Sequence, residues 1–197
     1  MIVTMANAKG GVAKTTGAIL LAVAWARRFE REAVVLDADP QSSASLWRDM
    51  AEEAGSGLGL VDVRPANLST LRRVARMGVD AGLVVVDAPP QGRLLEEAMK
   101  VADFVVVPTS DSPLDLQQAW ATMAATPAGG RAAVLVSRAE VNTRAFMDTI
   151  TGLDRAGTPR FDTVVRKRQE IKRMMGADPA SSYEYAQVLD ELLEVAR

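Results

Sequence analysis

The sequence predicts an α/β fold in which a doubly wound, mostly parallel sheet is flanked by helices. Short β-branched runs alternate with helical patterns along all 197 residues, an alternation that is typical of this class. Several runs (VVL, LVVV and FVVV) are apolar throughout, as expected for parallel strands that are covered on both faces. No repeat, low-complexity tract or linker interrupts the pattern, so we expect a single domain over residues 1–197.

Apolar, β-branched runs define seven predicted strands, and amphipathic segments define eight helices between and after them. The strands are predicted over residues 2–6, 33–37, 58–63, 83–87, 104–108, 132–137 and 162–165. The helices are predicted over residues 15–28, 42–53, 68–77, 94–101, 114–125, 143–153, 169–175 and 183–195. Ligands of such sheets bind at the carboxyl ends of the strands, so the strand-to-loop junctions are where functional residues are expected.

The composition excludes several kinds of chemistry. The chain has no Cys and no His, which removes disulfides, thiolate metal sites, cysteine nucleophiles and the commonest general base. Any catalysis must use carboxylates, lysines, hydroxyls, backbone amides and a bound metal ion. No apolar stretch is long enough to span a bilayer, and the amino terminus lacks the basic start of a signal peptide. We therefore expect a cytoplasmic protein.

Residues 8–16 (AKGGVAKTT) are the most informative segment, because they lie between the first strand and the first helix. Strand, glycine-containing loop and helix is the arrangement that surrounds phosphates with backbone N–H groups. In it Lys14 supplies a charge for the β- and γ-phosphates, and Thr15 a hydroxyl for Mg²⁺. Ala8 and Ala13 occupy the two glycine positions of the usual G-x-x-x-x-G-K-[ST] spacing. We expect the loop to tolerate Ala13, either in an allowed conformation or with some strain.

Two further strand ends carry carboxylates. One apolar strand ends at Asp87, which is the Walker B arrangement for reaching Mg²⁺. Another runs directly into Asp37 and Asp39. Asp37 is equally well explained as a functional residue or as a cap of the next helix, whereas Asp39 is the better functional candidate. Asp111 and Asp115 are expected to form a turn and a helix cap.

These motifs resemble those of the ParA/MinD family of deviant Walker A ATPases, which are P-loop NTPases, and in particular its short ParA proteins without an N-terminal DNA-binding extension. The resemblance rests on KGGVAKTT at residues 9–16, DADPQ at 37–41, QSSASLW at 41–47 and VVVDAPP at 84–90. It implies ATP and Mg²⁺ as cofactors, with Lys14 at the β- and γ-phosphates and with Thr15 and Asp87 at the metal. Lys9 is then the signature lysine that reaches a partner subunit's nucleotide, and Asp39 orients or activates the attacking water. Thr16 and the amides of the loop would hold the phosphates; the loop residues concerned are Gly10, Gly11, Val12, Ala13 and Lys14.

The resemblance further implies a homodimer in the ATP state that binds DNA non-specifically and is nucleoid-associated. A ParB-like partner would stimulate slow hydrolysis and so drive partition of a plasmid or chromosome. Three alternatives remain open: positioning of another cargo such as a carboxysome or chemoreceptor cluster, a small-molecule ATP-dependent synthetase, and a non-enzymatic switch or filament.

Residues 160–173 concentrate positive charge in a chain whose formal net charge is −2. Such a run is either a solvated helix face or a set of contacts to DNA phosphates. The candidate DNA contacts are Arg166, Lys167, Arg168, Lys172 and Arg173. The last helix is acidic, with only Arg197 as a basic residue at its end, so a basic membrane-binding helix is not expected there.

Overall fold

The structure, a computed structural model, describes residues 1–77 and 82–195. Within them, six strands form one parallel sheet in the order β3-β2-β4-β1-β5-β6. The predicted α/β class with a doubly wound sheet is confirmed. The strands are β1 (Ile2–Met5), β2 (Ala33–Asp37), β3 (Val61–Pro65), β4 (Leu83–Asp87), β5 (Phe104–Thr109) and β6 (Ala132–Val136).

The helices follow the predicted order closely. None in the described parts of the chain is long and apolar enough to cross a membrane. Arg197, which was counted with the last helix above, lies outside the described residues. The helices are α1 (Lys14–Phe29), α2 (Ser43–Glu53), α3 (Leu68–Met77), α4 (Arg93–Val101), α5 (Pro113–Ala124), α6 (Arg144–Arg155), α7 (Gln169–Arg173) and α8 (Tyr185–Val195).

The core lies on both faces of the sheet because side chains alternate along each strand. In β2, Val35 faces a cluster that it shares with α1, α2 and α8, whereas Val34 and Leu36 face α3 and α4. In β5, Val106 belongs to the first cluster and Val107 packs with α5 and α6. Continuous apolar strands are therefore needed here, since each strand is covered on both sides.

The predicted seventh strand, residues 162–165, is wrong. Isolated bridges flank this segment, one at Arg160 and one at Arg166. The chain bonds to β6 where the Phe161 N–H donates to Val134 O at 2.9 Å and the Val165 N–H donates to Val136 O at 2.9 Å. Between them, the N–H groups of Asp162 and Thr163 donate instead to the Glu191 carboxylate of α8, at 2.8 and 2.9 Å. The carboxylate takes the N–H groups that a strand would use for pairing, so a strand does not form.

The third strand begins later than predicted. Residues 58–60, which were expected to start it, lie in turns together with Gly57. Gly57 and Gly59 adopt positive φ, and the Val61 N–H donates to Leu58 O at 3.1 Å. The strand begins only at Val61. Apolar Leu58 is buried in these turns, so its hydrophobicity indicated burial and not strand.

The strand register brings the predicted functional ends together. Asp87 at the end of β4 is aligned with Met5 of β1 on one side and with Asp37 of β2 on the other. Because neighbouring strands lie about 4.8 Å apart, the acidic strand ends and the loop that follows β1 share one edge of the sheet. This is the edge at which parallel sheets bind their ligands.

Candidate nucleotide-binding site

The loop between β1 and α1 has the backbone form of a phosphate-binding loop. Gly11 has φ +77° and Ala13 has φ +70° and ψ +31°, so both are left-handed. Alanine in this region costs about 1 kcal/mol relative to its usual conformations. The loop thus tolerates Ala13, as expected, but with strain. No atom lies within 4 Å of where a Cβ would be at Gly10 or Gly11, which leaves that side of the loop open to a ligand.

Lys14 is buried at the start of α1, and its side chain folds back over the loop. Its Nζ donates to the Lys9 carbonyl at 3.0 Å. Burial lowers the pKa of Lys14, and the nearby Asp87 and Asp39 carboxylates act in the opposite direction. The ammonium group therefore stands between the loop and the acidic strand ends, where it can meet a phosphate.

Asp87 is fully buried, and neither of its carboxylate oxygens has a hydrogen-bond partner among the described residues. Burial raises the pKa of Asp87 to about 7, and the neighbouring Asp37 adds to the rise, while the Thr15 hydroxyl and Lys14 act against it. Buried polar groups are normally paired. Two orphaned oxygens beside the Thr15 hydroxyl therefore suit a cation.

The donor set fits Mg²⁺ better than a metal held by protein alone. No group of three or more His, Cys, Asp or Glu side chains within residues 1–77 and 82–195 could hold a metal ion. Mg²⁺ is commonly bound through one or two carboxylates or hydroxyls together with phosphate oxygens and water. Thr15 and Asp87 are the residues that would hold it.

The two aspartates after β2 have different surroundings. The Asp37 carboxylate accepts hydrogen bonds from Ser45 N and Ser45 Oγ, at 2.8 and 2.7 Å, and so caps the first turn of α2. Asp39 is only partly buried, accepts from Gln41 N at 2.9 Å and lines the cavity described below. The cap interpretation of Asp37 is confirmed, and Asp39 is the aspartate that faces the ligand space.

Lys9 is held within its own chain. Its ammonium group forms an ion pair with Asp115 of α5, which also accepts a hydrogen bond from Ser110 Oγ at 2.7 Å. The expectation that Asp115 only caps its helix is therefore incomplete. Asp111 accepts from the Glu140 N–H at 3.0 Å and links the β5 and β6 loops.

A cavity of about 530 Å³ opens beside the phosphate loop. One wall consists of loop and early α1 residues, including Lys14, Thr15 and Thr16, with Asp39 opposite. Apart from the basic segment, the rest of the lining comes from elements far apart in the chain, and no sequence pattern had assigned these residues to the site: Gln41, Ser43, Trp47, Pro90, Ser137, Arg138, Val165, Gln169, Ile171, Met175 and Tyr185. The rule that ligands bind at strand ends could have pointed to Ser137 and Arg138, which directly follow β6.

The basic segment lies at this same cavity. Four of the five candidate DNA contacts line it, and Arg173 is the one that does not. Two of the four are ion-paired, Lys167 with Glu140 and Arg168 with Glu184. Arg166, Lys172 and Arg173 form no ion pair with any residue that the structure describes. DNA contact by Arg166, Lys167, Arg168, Lys172 and Arg173 stays a prediction.

Residues 3–178 match the family model of the CobQ/CobB/MinD/ParA nucleotide binding domain. The chain belongs to this family, and the resemblance to ParA and MinD proteins is confirmed.

Individual relatives of known name agree with this family assignment. The chain is 36% identical to Maintenance of carboxysome distribution protein A of Gloeobacter kilaueensis, over 87% of this chain and 79% of that protein. It is 32% identical to the Chromosome-partitioning ATPase Soj of Thermus thermophilus over 54% of this chain and 53% of that protein. It is 29% identical to Protein ParA of Rhizobium radiobacter over 58% of this chain and half of that protein.

Solved structures share the fold across nearly the whole chain. A putative plasmid partition protein from Borrelia burgdorferi, bound to AMPPNP, has a TM-score of 0.77 at 18% identity and covers 98% of this chain and 97% of its own. Cobyrinic acid a,c-diamide synthase from Mycobacterium smegmatis, with bound ADP and magnesium, has a TM-score of 0.74 at 20% identity and covers 98% and 94%. The expected cofactors, ATP and Mg²⁺, agree with the ligands of these neighbours.

Proposed function

We propose that this protein is an ATPase that closes as a homodimer around two ATP molecules. The observation that carries the proposal is one cavity in which the phosphate loop, Lys14 and Asp39 meet, with the unpaired Asp87 carboxylate buried behind them. Membership of a nucleotide-binding family that includes a protein named as an ATPase supports it. Phosphoryl transfer needs positioning and charge compensation more than covalent chemistry, so the absence of His is no obstacle.

Each residue has a role that its surroundings suit. Lys14 compensates the β- and γ-phosphates, while Thr16 and the loop amides hold them. Thr15 and Asp87 hold Mg²⁺, which supplies charge stabilisation for the leaving phosphate when bound. Asp39 orients or activates the attacking water. Lys9 leaves Asp115 and reaches the partner subunit's nucleotide, so that dimerisation depends on ATP.

Lys14→Ala tests the site directly. Equilibrium binding of Mg²⁺–ATP and Mg²⁺–ADP is measured by calorimetry for the wild type and the variant, and Lys100→Ala, an exposed lysine on α4, serves as the matched control. We expect Lys14→Ala to abolish binding and Lys100→Ala to leave it unchanged. Retained affinity in Lys14→Ala rejects the phosphate-loop assignment.

We further propose that the ATP dimer binds DNA without sequence preference through the basic segment. The support is the local concentration of charge, with Arg166, Lys172 and Arg173 free of ion pairs within the described residues. Two copies in a dimer would give several phosphate contacts and a steep salt dependence. Filter binding at increasing salt, with ATP and with ADP, measures this. Equal affinity in both nucleotide states contradicts the proposal.

The cargo has two candidates of equal standing. Partition of a plasmid or chromosome with a ParB-like adaptor is supported by the relatives named ParA and Soj. Positioning of carboxysomes is supported by the 36% identity over most of the chain to a carboxysome distribution protein. Co-purification with the product of the adjacent gene, followed by its effect on ATP turnover, separates them. Turnover that requires a small carboxylate acceptor instead would indicate the synthetase alternative.

A further inference from the structure

Two adjacent residues at the end of β6, Ser137 and Arg138, contact the backbone of the phosphate loop. Ser137 is fully buried, and its Oγ lies 3.3 Å from Val12 O and 3.2 Å from Thr109 O. The Arg138 guanidinium donates to the Gly11 carbonyl. Arg138 itself has φ +55°, an unusual conformation for a non-glycine residue. Nothing in the sequence patterns or in the proposed roles above uses this pair.

These contacts restrain the direction of the loop's peptide groups. The carbonyls of Gly11 and Val12 point toward β6, and the Lys9 carbonyl accepts from Lys14 Nζ at 3.0 Å. A phosphate-binding concavity needs successive N–H groups pointing inward. Because the carbonyl and the following N–H of one peptide unit point in opposite directions, holding the carbonyls outward turns the amides of Val12 and Ala13 toward the ligand.

Ala13 makes this restraint necessary. Glycine adopts the left-handed conformation freely, but alanine is strained there, and strained residues persist only where their surroundings hold them in place. We propose that Ser137 and Arg138 are positioning residues that fix the peptide groups on either side of Val12. They thereby compensate for the missing glycine at position 13 and keep the loop ready to bind phosphate before the nucleotide arrives.

Direct contact with the nucleotide is the competing explanation, because both residues also line the cavity. The two explanations differ in how the residues depend on Ala13. A positioning role matters most when the loop is strained and less when glycine relieves the strain. A direct contact to the ligand is lost to the same extent whichever residue occupies position 13.

A double-mutant cycle on ADP binding separates them. ADP is used because its binding involves neither the γ-phosphate nor the dimer. Mg²⁺–ADP affinity is measured by calorimetry for the wild type, Arg138→Ala, Ala13→Gly and the double variant, and the same cycle is run with Ser137→Ala. We expect Arg138→Ala to weaken ADP binding by about fivefold, as for loss of one hydrogen bond whose charged donor is exposed to solvent. In the Ala13→Gly background we expect a loss of about twofold.

Two controls keep the result interpretable. Arg144→Ala removes an arginine of α6 whose side chain is 94% exposed and whose described ion pair is with Asp148, so it should leave ADP affinity unchanged. Arg138→Lys retains a cationic donor and should recover part of the lost affinity. The Gly17 N–H donates to Ala13 O at 2.9 Å, and its amide hydrogen exchange in nucleotide-free protein should accelerate in Arg138→Ala, which a ligand-contact role alone would not cause.

The proposal rests on the nucleotide site proposed above, and the outcomes distinguish the two. If wild-type protein does not bind ADP, the site itself is rejected and the positioning role with it. If wild-type protein binds ADP but the loss from Arg138→Ala is equal in both backgrounds, or exchange at Gly17 is unchanged, the site stands and the positioning role is rejected.

Discussion

The ion pair between Lys9 and Asp115 within each subunit opposes formation of the proposed ATP dimer, and the strength of the pair predicts the size of this effect. If Lys9 serves the partner's nucleotide, each subunit must first break this pair. Asp115→Asn removes the charge but retains an oxygen for the Ser110 hydroxyl, so local folding should be preserved. Burial alone would raise the pKa of Asp115, yet the hydrogen bonds from Lys9 and Ser110 and the Lys9 charge hold it below its usual value. The pair is therefore favourable in the free subunit.

The size of the effect follows from exposure. The side chain of Lys9 is 41% exposed and that of Asp115 is 10% exposed, so solvent screens the pair and its strength is about 0.5–1 kcal/mol. A dimer breaks two such pairs. Asp115→Asn should therefore tighten the dimer by about 1–2 kcal/mol, or roughly 5–30-fold in its dissociation constant.

Sedimentation equilibrium with a non-hydrolysable ATP analogue measures that constant. Asp111→Asn is the matched control, because Asp111 is a nearby acid whose carboxylate accepts from the Glu140 N–H and not from Lys9, and it should leave the constant unchanged. An Asp115→Asn dimer that is no tighter than the wild type would refute the reasoning, since Lys9 then has no competing partner to leave.

Three further predictions address other parts of the molecule. Asp87→Asn should weaken Mg²⁺-dependent ATP binding at least tenfold. It should also raise the free energy of unfolding of the nucleotide-free protein, because it removes a buried charge whose oxygens are unpaired. Unchanged Mg²⁺ dependence in ATP titrations would exclude Asp87 as a metal-binding residue. Lys172→Glu should weaken DNA binding and lower the slope of log affinity against log salt concentration by about one unit. Because Lys172 also lines the cavity, ATP affinity is measured in parallel. A slope equal to that of the wild type would assign Lys172 to a solvated face. Glu191→Ala should destabilise the fold by about 1–2 kcal/mol, since two backbone N–H groups lose their acceptor. At this chain length the Tm should fall by about 2–8 °C. An unchanged Tm in thermal unfolding would show that water replaces the carboxylate.

Local sequence signals predicted the elements that depend on neighbours in the chain. The phosphate loop and the acidic strand end at Asp87 were recognisable because a few consecutive residues define each of them. The continuous apolar strands likewise indicated a sheet covered on both faces. These features need no knowledge of distant contacts, so the fold class and the alignment of Asp87 with the strand that leads into the phosphate loop could be predicted from the sequence.

Features that depend on distant partners could not be predicted in this way. The segment 162–165 has the β-branched residues of a strand, but Glu191, 29 residues away from Asp162, accepts from the N–H groups of Asp162 and Thr163. Lys9 meets Asp115 across 106 residues, and Ser137 reaches Val12 across 125. Spacing along the chain carries no information about such pairs. The same holds for the cavity wall formed by the basic segment, which the sequence presented only as a run of charge.

The Glu191 carboxylate also helps to keep the outer edge of the sheet, at β6, covered by the chain that follows it. Beyond β6, the chain from Pro159 to Val165 covers the outer strand and bonds to it at Val134 and Val136, so that edge offers no continuous row of free groups to another molecule. Exposed strand edges are templates for pairing between chains. Loss of Glu191 would loosen the covering segment between its backbone bonds to Val134 and Val136, and self-association through β6 during storage or refolding is the expected consequence. One acidic side chain on the last helix therefore helps keep the folded protein from assembling through its sheet.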